Sequence, residues 1–337
     1  MPGPITHYLF AHKLQHYLLA FFPFLSTYQS YYDAGSLGPD PFFFNGAFSI
    51  QSENKINTRA FGKQLHLQSP QVTFEPIFQS IPQLWMDKNQ CLAYTLGFLT
   101  HYVLDETLHP FVFYWSGFDE HGGIESMPYK TDHIRFEHTL DLAWIIGHGQ
   151  NINEINPSIV LRMEEDVLAN IEKFYKKIYG HGNAFASSYQ SMIKAYDLVY
   201  LIKDWKRKLM GFLFSKRSFL YALTHDRTIT QDKFSLVTNT TQKPWRHPSL
   251  GTVQTQDVFS LALDAERKMK RLTPILHRLF HAFYPETIIA TLLKEIGLQN
   301  FDGDKPFASK TFFQSIYPAY RQQPTWKTND QKTFQVR

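Results

Sequence analysis

Apolar residues recur every three or four positions along most of the chain, the period of a helix with one buried face. That period predicts a helix over 5–22, with Thr6 as its N-cap. Further helices are predicted over 75–86 and, strongly, over 88–109, where Pro110 marks the end. Another strong one covers about 132–146. The step Asn156–Pro157 is a helix start with proline at the first position, and helices over 157–179 and 187–222 follow. A last helix is predicted over 256–283, kinked at Pro274. The stretches "DAGSLGPDPFFFNG" (33–46) and "TQKPWRHPSLG" (241–251) read as loops, punctuated by Gly and Pro, and 115–130 reads as a third. Residues 47–72 are polar and lack a clear period. No strands, internal repeats or heptads stand out, and no linker divides the chain. The pattern therefore predicts an all-α fold: a single multi-helix domain over 1–300, then a polar C-terminal tail over 301–337, partly disordered.

Composition adds little to this picture but excludes several alternatives. Hydrophobic residues make up 43% of the 337, enough for a sizeable core, and aromatics reach 16%. A net charge of +4 is mild for this length and shows no concentrated basic stripe, so nucleic acid is not an expected partner. The single cysteine, Cys91, leaves no intramolecular disulfide. The apolar run "YLLAFFPFL" (17–25) carries Pro23 and leads into no small-residue cleavage site, so it reads as a packed helix. No stretch approaches the ~20 uninterrupted apolar residues of a membrane span. These features point to a cytoplasmic protein with no obligate protein partner.

The chemistry lies among 15 histidines. In "HYVLDETLHP" (101–110), His101, Asp105 and His109 fall at intervals of four. A step of four turns a helix by only about 40°, so the three share a face but extend about 12 Å along the axis. A zinc–ligand bond is near ~2 Å, so one ion cannot take all three. His101 and Asp105 suit one ion, and His109 must serve a neighbour. The segment "DHIRFEHTLD" repeats the arrangement with His133 and Glu137. His109, His133 and Glu137 then suit a second ion. Nitrogen and oxygen ligands without thiolate fit a catalytic zinc site better than a structural one. The pairs His12/His16 and His277/His281 are also one turn apart but have no carboxylate in register. His138 and Asp141 lie where they can orient ligands, and Trp115 and Phe118 where they can wall a cleft.

Five segments together resemble the bacterial zinc-dependent phospholipase C family: "MPGPITHYLFA", "GSLGPDPFFF", "AYTLGFLTHYVLDETLHPF", "HIRFEHTLD" and "KPWRHPSLG". Its domain also occurs in phospholipase D enzymes that act on lipid anchors, and fungal single-strand nucleases share the fold. The resemblance covers roughly 1–283 and implies two or three zinc ions. It assigns Asp40, His66 and His101 to the first ion and His109, His133 and Glu137 to the second. His7 goes to the third, and Asp105 bridges the first and third. In secreted relatives a terminal tryptophan completes the third site, whereas "MPGPIT" precedes His7 here.

The implied activity is phosphodiester hydrolysis, most directly on a phospholipid, with transient contact at a membrane surface. A metal-bound hydroxide would attack phosphorus in line, and Asp40 would orient it or accept its proton. The alternatives are a nuclease on the same scaffold, and a non-catalytic metal-binding or lipid-docking module.

Overall fold

The protein is described by a computed structural model covering residues 3–47, 53–81, 88–117, 123–152, 154–182, 184–201, 229–306 and 308–314. These form a mostly helical structure organised around one long helix, α5 (Lys88–Ser116). From Cys91 to Gly117 every residue of this stretch is buried except Glu106 and Thr107, which are partly so. A helix that is apolar nearly all round belongs in the middle of a fold. Against it pack α1 (Pro4–Leu19), α2 (Gln29–Ser36), α6 (Gly123–Gly147) and α11 (Val258–His281). A second group, α3 (Glu53–Leu67), α4 (Pro70–Ser80), α7 (Pro157–Val160), α8 (Glu165–Tyr179) and α9 (Phe185–Leu201), carries much of the rest of the core. Two short helices, α10 (Gln231–Thr238) and α12 (Glu286–Ile296), pack on α6 and on α4 and α11 respectively. Among the described residues no helix is long and apolar enough to cross a membrane.

The helices α2 and α5 approach closely at two glycines. A methyl group on Gly97 would stand 2.2 Å from the Tyr32 carbonyl, and one on Gly35 would stand 2.3 Å from the Tyr94 carbonyl. Only hydrogen fits there, and this contact brings the turn after α2 down onto His101. Gly38, at φ +49°, completes that turn, and a side chain on it would strike the His101 ring at 2.6 Å. Gly97→Ala is therefore expected to destabilise the fold by about 1–3 kcal/mol, the usual cost of overpacking. Chemical denaturation reads this directly, and an unchanged midpoint would mean the two helices separate freely.

Several sequence expectations need correction. Pro110 does not end α5, which runs six residues further to Ser116. Phe111, Val112 and Trp115 are buried, and that burial carries the helix past the proline. Gly303 packs against the Glu106 carbonyl, the acceptor that Pro110 leaves without a helical donor. The helix α1 starts at Pro4 and its N-cap is Gly3, not Thr6. The segment 33–46 is not loop throughout, since it takes in the end of α2 and a 3-10 turn at Asp40–Phe44, and the stretch 47–72, which had no clear period, holds α3. The expected helix over 157–179 is broken at Leu161, and α12 was not foreseen. The loop at 241–251 holds one arm of a small antiparallel pair, Trp245–Arg246 against Val253–Gln254. Of the helix expected over 187–222, residues 202–222 lie outside the described residues.

The packed chain also does not stop at 300. Phe301, Asp302, Asp304, Lys310 and Phe313 are buried. Backbone bonds from Thr311 and Phe312 to the Pro248 carbonyl, and from Gln314 to that of Tyr114, tie this segment to the domain. The described part of the expected tail is thus an integral strap. Residues 315–337 lie outside the described residues.

Candidate metal centre

The eight expected ligands come from five elements. His7 lies on α1, and Asp40 opens the 3-10 turn after α2. His66 sits in the last turn of α3. The helix α5 supplies His101, Asp105 and His109, and α6 supplies His133 and Glu137. They gather into three groups: His7, His101 and Asp105; Asp40, His66 and His101; and His109, His133 and Glu137. Within each group the candidate ligand atoms lie within 4.8 Å of one another. His101 belongs to two groups, so these two adjoin. The third follows one turn along α5, where His109 stands four residues after Asp105.

Asp105 is completely buried, and its two oxygens divide between partners. Oδ1 is 3.1 Å from His7 Nε2, and Oδ2 is 3.2 Å from His101 Nε2 and 4.0 Å from His66 Nε2. Asp40 Oδ1 stands 3.1 Å from His66 Nε2 and 3.7 Å from His101 Nε2. In the third group His133 Nε2 is 2.9 Å from Glu137 Oε1.

The far side of each ring decides what these short approaches mean. Nδ1 of His66 is 2.7 Å from the Gly62 carbonyl, and Nδ1 of His101 is 3.1 Å from the Ser36 carbonyl. A carbonyl can only accept, so each Nδ1 carries the hydrogen. In a neutral ring that leaves Nε2 as a lone pair aimed at a carboxylate oxygen. His133 is held the same way: its Nδ1 meets Ser116 Oγ at 3.0 Å, and that hydroxyl donates to the Phe113 carbonyl. Two acceptors in that position repel unless a proton or a cation lies between them.

Electrostatics favours the cation. Burial pulls His133 down to about 4, outweighing the pull of Glu137, and burial with nearby His101 also lowers His7. Both rings are then neutral at pH 7. Burial alone would raise Asp105, but His101 and His7 hold it well below the usual carboxylate range. Glu137 is likewise kept down to about 2, with His133 among the groups that outweigh its burial. His66 differs: its burial is overcome by Asp40, which raises it. Among the described residues no hydrogen bond satisfies either nitrogen of His7, Nε2 of His101 or either oxygen of Asp105. Buried polar atoms rarely go unpaired, and this set suits a divalent cation.

Asp141 has a role that spacing alone did not specify. It accepts from the backbone of Ile5 (3.3 Å) and Thr6 (2.8 Å) and from the Thr6 hydroxyl (2.6 Å). It thus caps α1 from a distance and sets the position of His7. Burial raises its carboxyl to about 7 against the pull of these bonds. His138 instead packs edge-on to Tyr196. Trp115 is buried against Phe111 and Tyr114, while Phe118 lies outside the described residues. His12 does find a carboxylate, Asp33 at 2.9 Å, through tertiary packing. His277 packs on the rings of Phe21 and Phe22.

Sequence reasoning missed the strap beside His109. The Asp302 carboxylate and the Phe301 carbonyl each lie 3.1 Å from His109 Nδ1. The only local signal was "NFDGDK", a turn-rich run that reads equally well as loop. In comparisons with known proteins, no family model, no curated protein and no solved structure matches this chain.

Proposed function

We propose that this chain is a zinc-dependent phosphodiester hydrolase of the phospholipase C type, with a phospholipid as substrate. The observation that carries the reading is the set of buried carboxylate oxygens facing imidazole lone pairs in three adjoining groups. The donor set is imidazole and carboxylate; the one cysteine, Cys91, is buried elsewhere in the core. That composition favours zinc in a catalytic setting. The five sequence segments that resemble the family contain seven of the eight ligands, and His66 comes from the helix between them.

When bound, the ions would supply an acidified water and positive charge for the phosphate oxygens. The protein's own groups then divide the work. Asp105, fully buried and shared between His7 and His101, holds charge in place and has no route to solvent. Asp40 keeps its side chain one-tenth exposed, at the edge of the buried set. It orients the attacking water and takes its proton. Backbone carbonyls and Ser116 fix the imidazoles, so the ligand geometry is in place before substrate arrives. Attack on phosphorus is in line and needs no covalent nucleophile.

The test begins with protein purified without chelator. Elemental analysis should find bound zinc, and the protein should cleave both a chromogenic phosphodiester and phosphatidylcholine in mixed micelles. Chelation should abolish turnover and added zinc restore it. A protein that neither carries nor takes up zinc would end this reading. Cleavage of single-stranded DNA in preference to the lipid would move it to a nuclease.

A further inference from the structure

Residues 300–306 and 308–314 form a strap whose Phe301 and Asp302 touch His66, His101 and His109. The Phe301 backbone N–H donates to the His66 carbonyl (3.2 Å), and its ring packs on His66 and His101 at 5.0 and 5.8 Å. The Phe301 carbonyl and Asp302 Oδ1 converge on His109 Nδ1. Because both partners are acceptors, that nitrogen carries the hydrogen, so Nε2 is the ring nitrogen with ligand character in the group with His133 and Glu137. The second oxygen of Asp302 is 2.7 Å from Lys310 Nζ, which also lies 3.6 Å from Asp304. Asp302 is 3% exposed and Lys310 1% at the side chain, so this ion pair is shut off from solvent.

The surrounding turn is built to hold Asp302 still. The Asn300 side chain accepts from the backbone of Asp302 (3.0 Å) and Asp304 (3.1 Å) and donates to the Leu67 carbonyl (3.2 Å). Phe113 completes the arrangement. Its ring stacks on His109 (4.3 Å) and His133 (4.8 Å), and Lys310 Nζ sits 4.1 Å from its centre.

From this geometry we infer that Asp302 is a positioning residue for the third group: it fixes the tautomer and orientation of His109 so that Nε2 serves the ion shared with His133 and Glu137. Carboxylates that orient metal-binding imidazoles in this way typically control metal affinity by about 10- to 100-fold. The inference rests on the metal reading of the site, but it concerns a segment outside the resemblance to the phospholipase family.

The experiment is Zn2+ titration against a chromophoric chelator, with Co2+ absorption as a second readout. It compares the parent protein, Asp302→Asn, His109→Ala and the double variant. The expected result for Asp302→Asn is a loss of about 10- to 100-fold in affinity for one ion only. In the His109→Ala background the same change should add nothing, because the imidazole it positions is gone. If Asp302→Asn does not fold, Asp302→Glu keeps the charge opposite Lys310 while displacing the oxygens, and is read in the same way. Two results would overturn the inference: parental affinity in the Asp302 variants, or an equal loss whether or not His109 is present. Absence of Zn2+ uptake by the parent would instead overturn the functional reading, and this one with it.

Discussion

Asp40→Asn should slow phosphodiester turnover at least about a hundredfold at saturating zinc, with the melting temperature and most of the metal retained. Proton transfer by a positioned group typically contributes about 100- to 10,000-fold, or roughly 3 to 5 kcal/mol of barrier. The amide keeps the size of the side chain and one accepting oxygen for its place beside His66. It loses the charge and the capacity to take a proton. Asp105→Asn should fail differently. Both Asp105 oxygens face imidazoles in a fully buried position, so the change should weaken zinc loading itself. Running both variants at saturating zinc separates lost occupancy from lost chemistry. Parental turnover in Asp40→Asn would leave Asp40 as a turn residue and remove the proposed proton acceptor.

A chain ending at Asp304 should be much less stable than one ending at Gln314, and Lys310→Met in the full chain should reproduce much of the loss. Truncation at that point removes the ammonium between Asp302 and Asp304 while leaving both carboxylates buried. Taking away one partner of a buried ion pair typically costs about 3–5 kcal/mol, because the remaining charge cannot reach water. The shorter chain also loses buried Phe313 and the backbone bonds to Pro248 and Tyr114. Denaturation midpoints of the three proteins provide the measurement. Equal midpoints for the two truncated chains would show that the strap is only an adornment on a fold complete without it.

Sequence alone was informative where chemistry is local. The H-x-x-x-D and H-x-x-x-E pairs on α5 and α6 were legible because helix rise and turn set the spacing of residues four apart, whatever the helix packs against. The same geometry set the expectation that one ion could not take His101, Asp105 and His109 together. The helical pattern over 88–109 marked that helix strongly, and its place at the centre of the fold emerged only from the structure. Asp40, His66 and His7 had no such local signal, and only the resemblance to a family connected them.

What the tertiary structure decided is everything that depends on contact between distant segments. His66 meets Asp40 where α2 and α5 pack at Gly35 and Gly97 and bring the Asp40 turn over α5, and His7 meets Asp105 where Asp141 of α6 holds the start of α1. The hydrogen bonds that aim His66, His101 and His109 come from carbonyls at Gly62, Ser36 and Phe301, groups every residue has and no residue type advertises. The strap was misread for a related reason: polar, turn-forming residues look alike whether they face water or pair with one another inside. Local spacing specified which residues can hold a cation, but only packing excluded water from Asp302 and Lys310 and made their charges depend on each other.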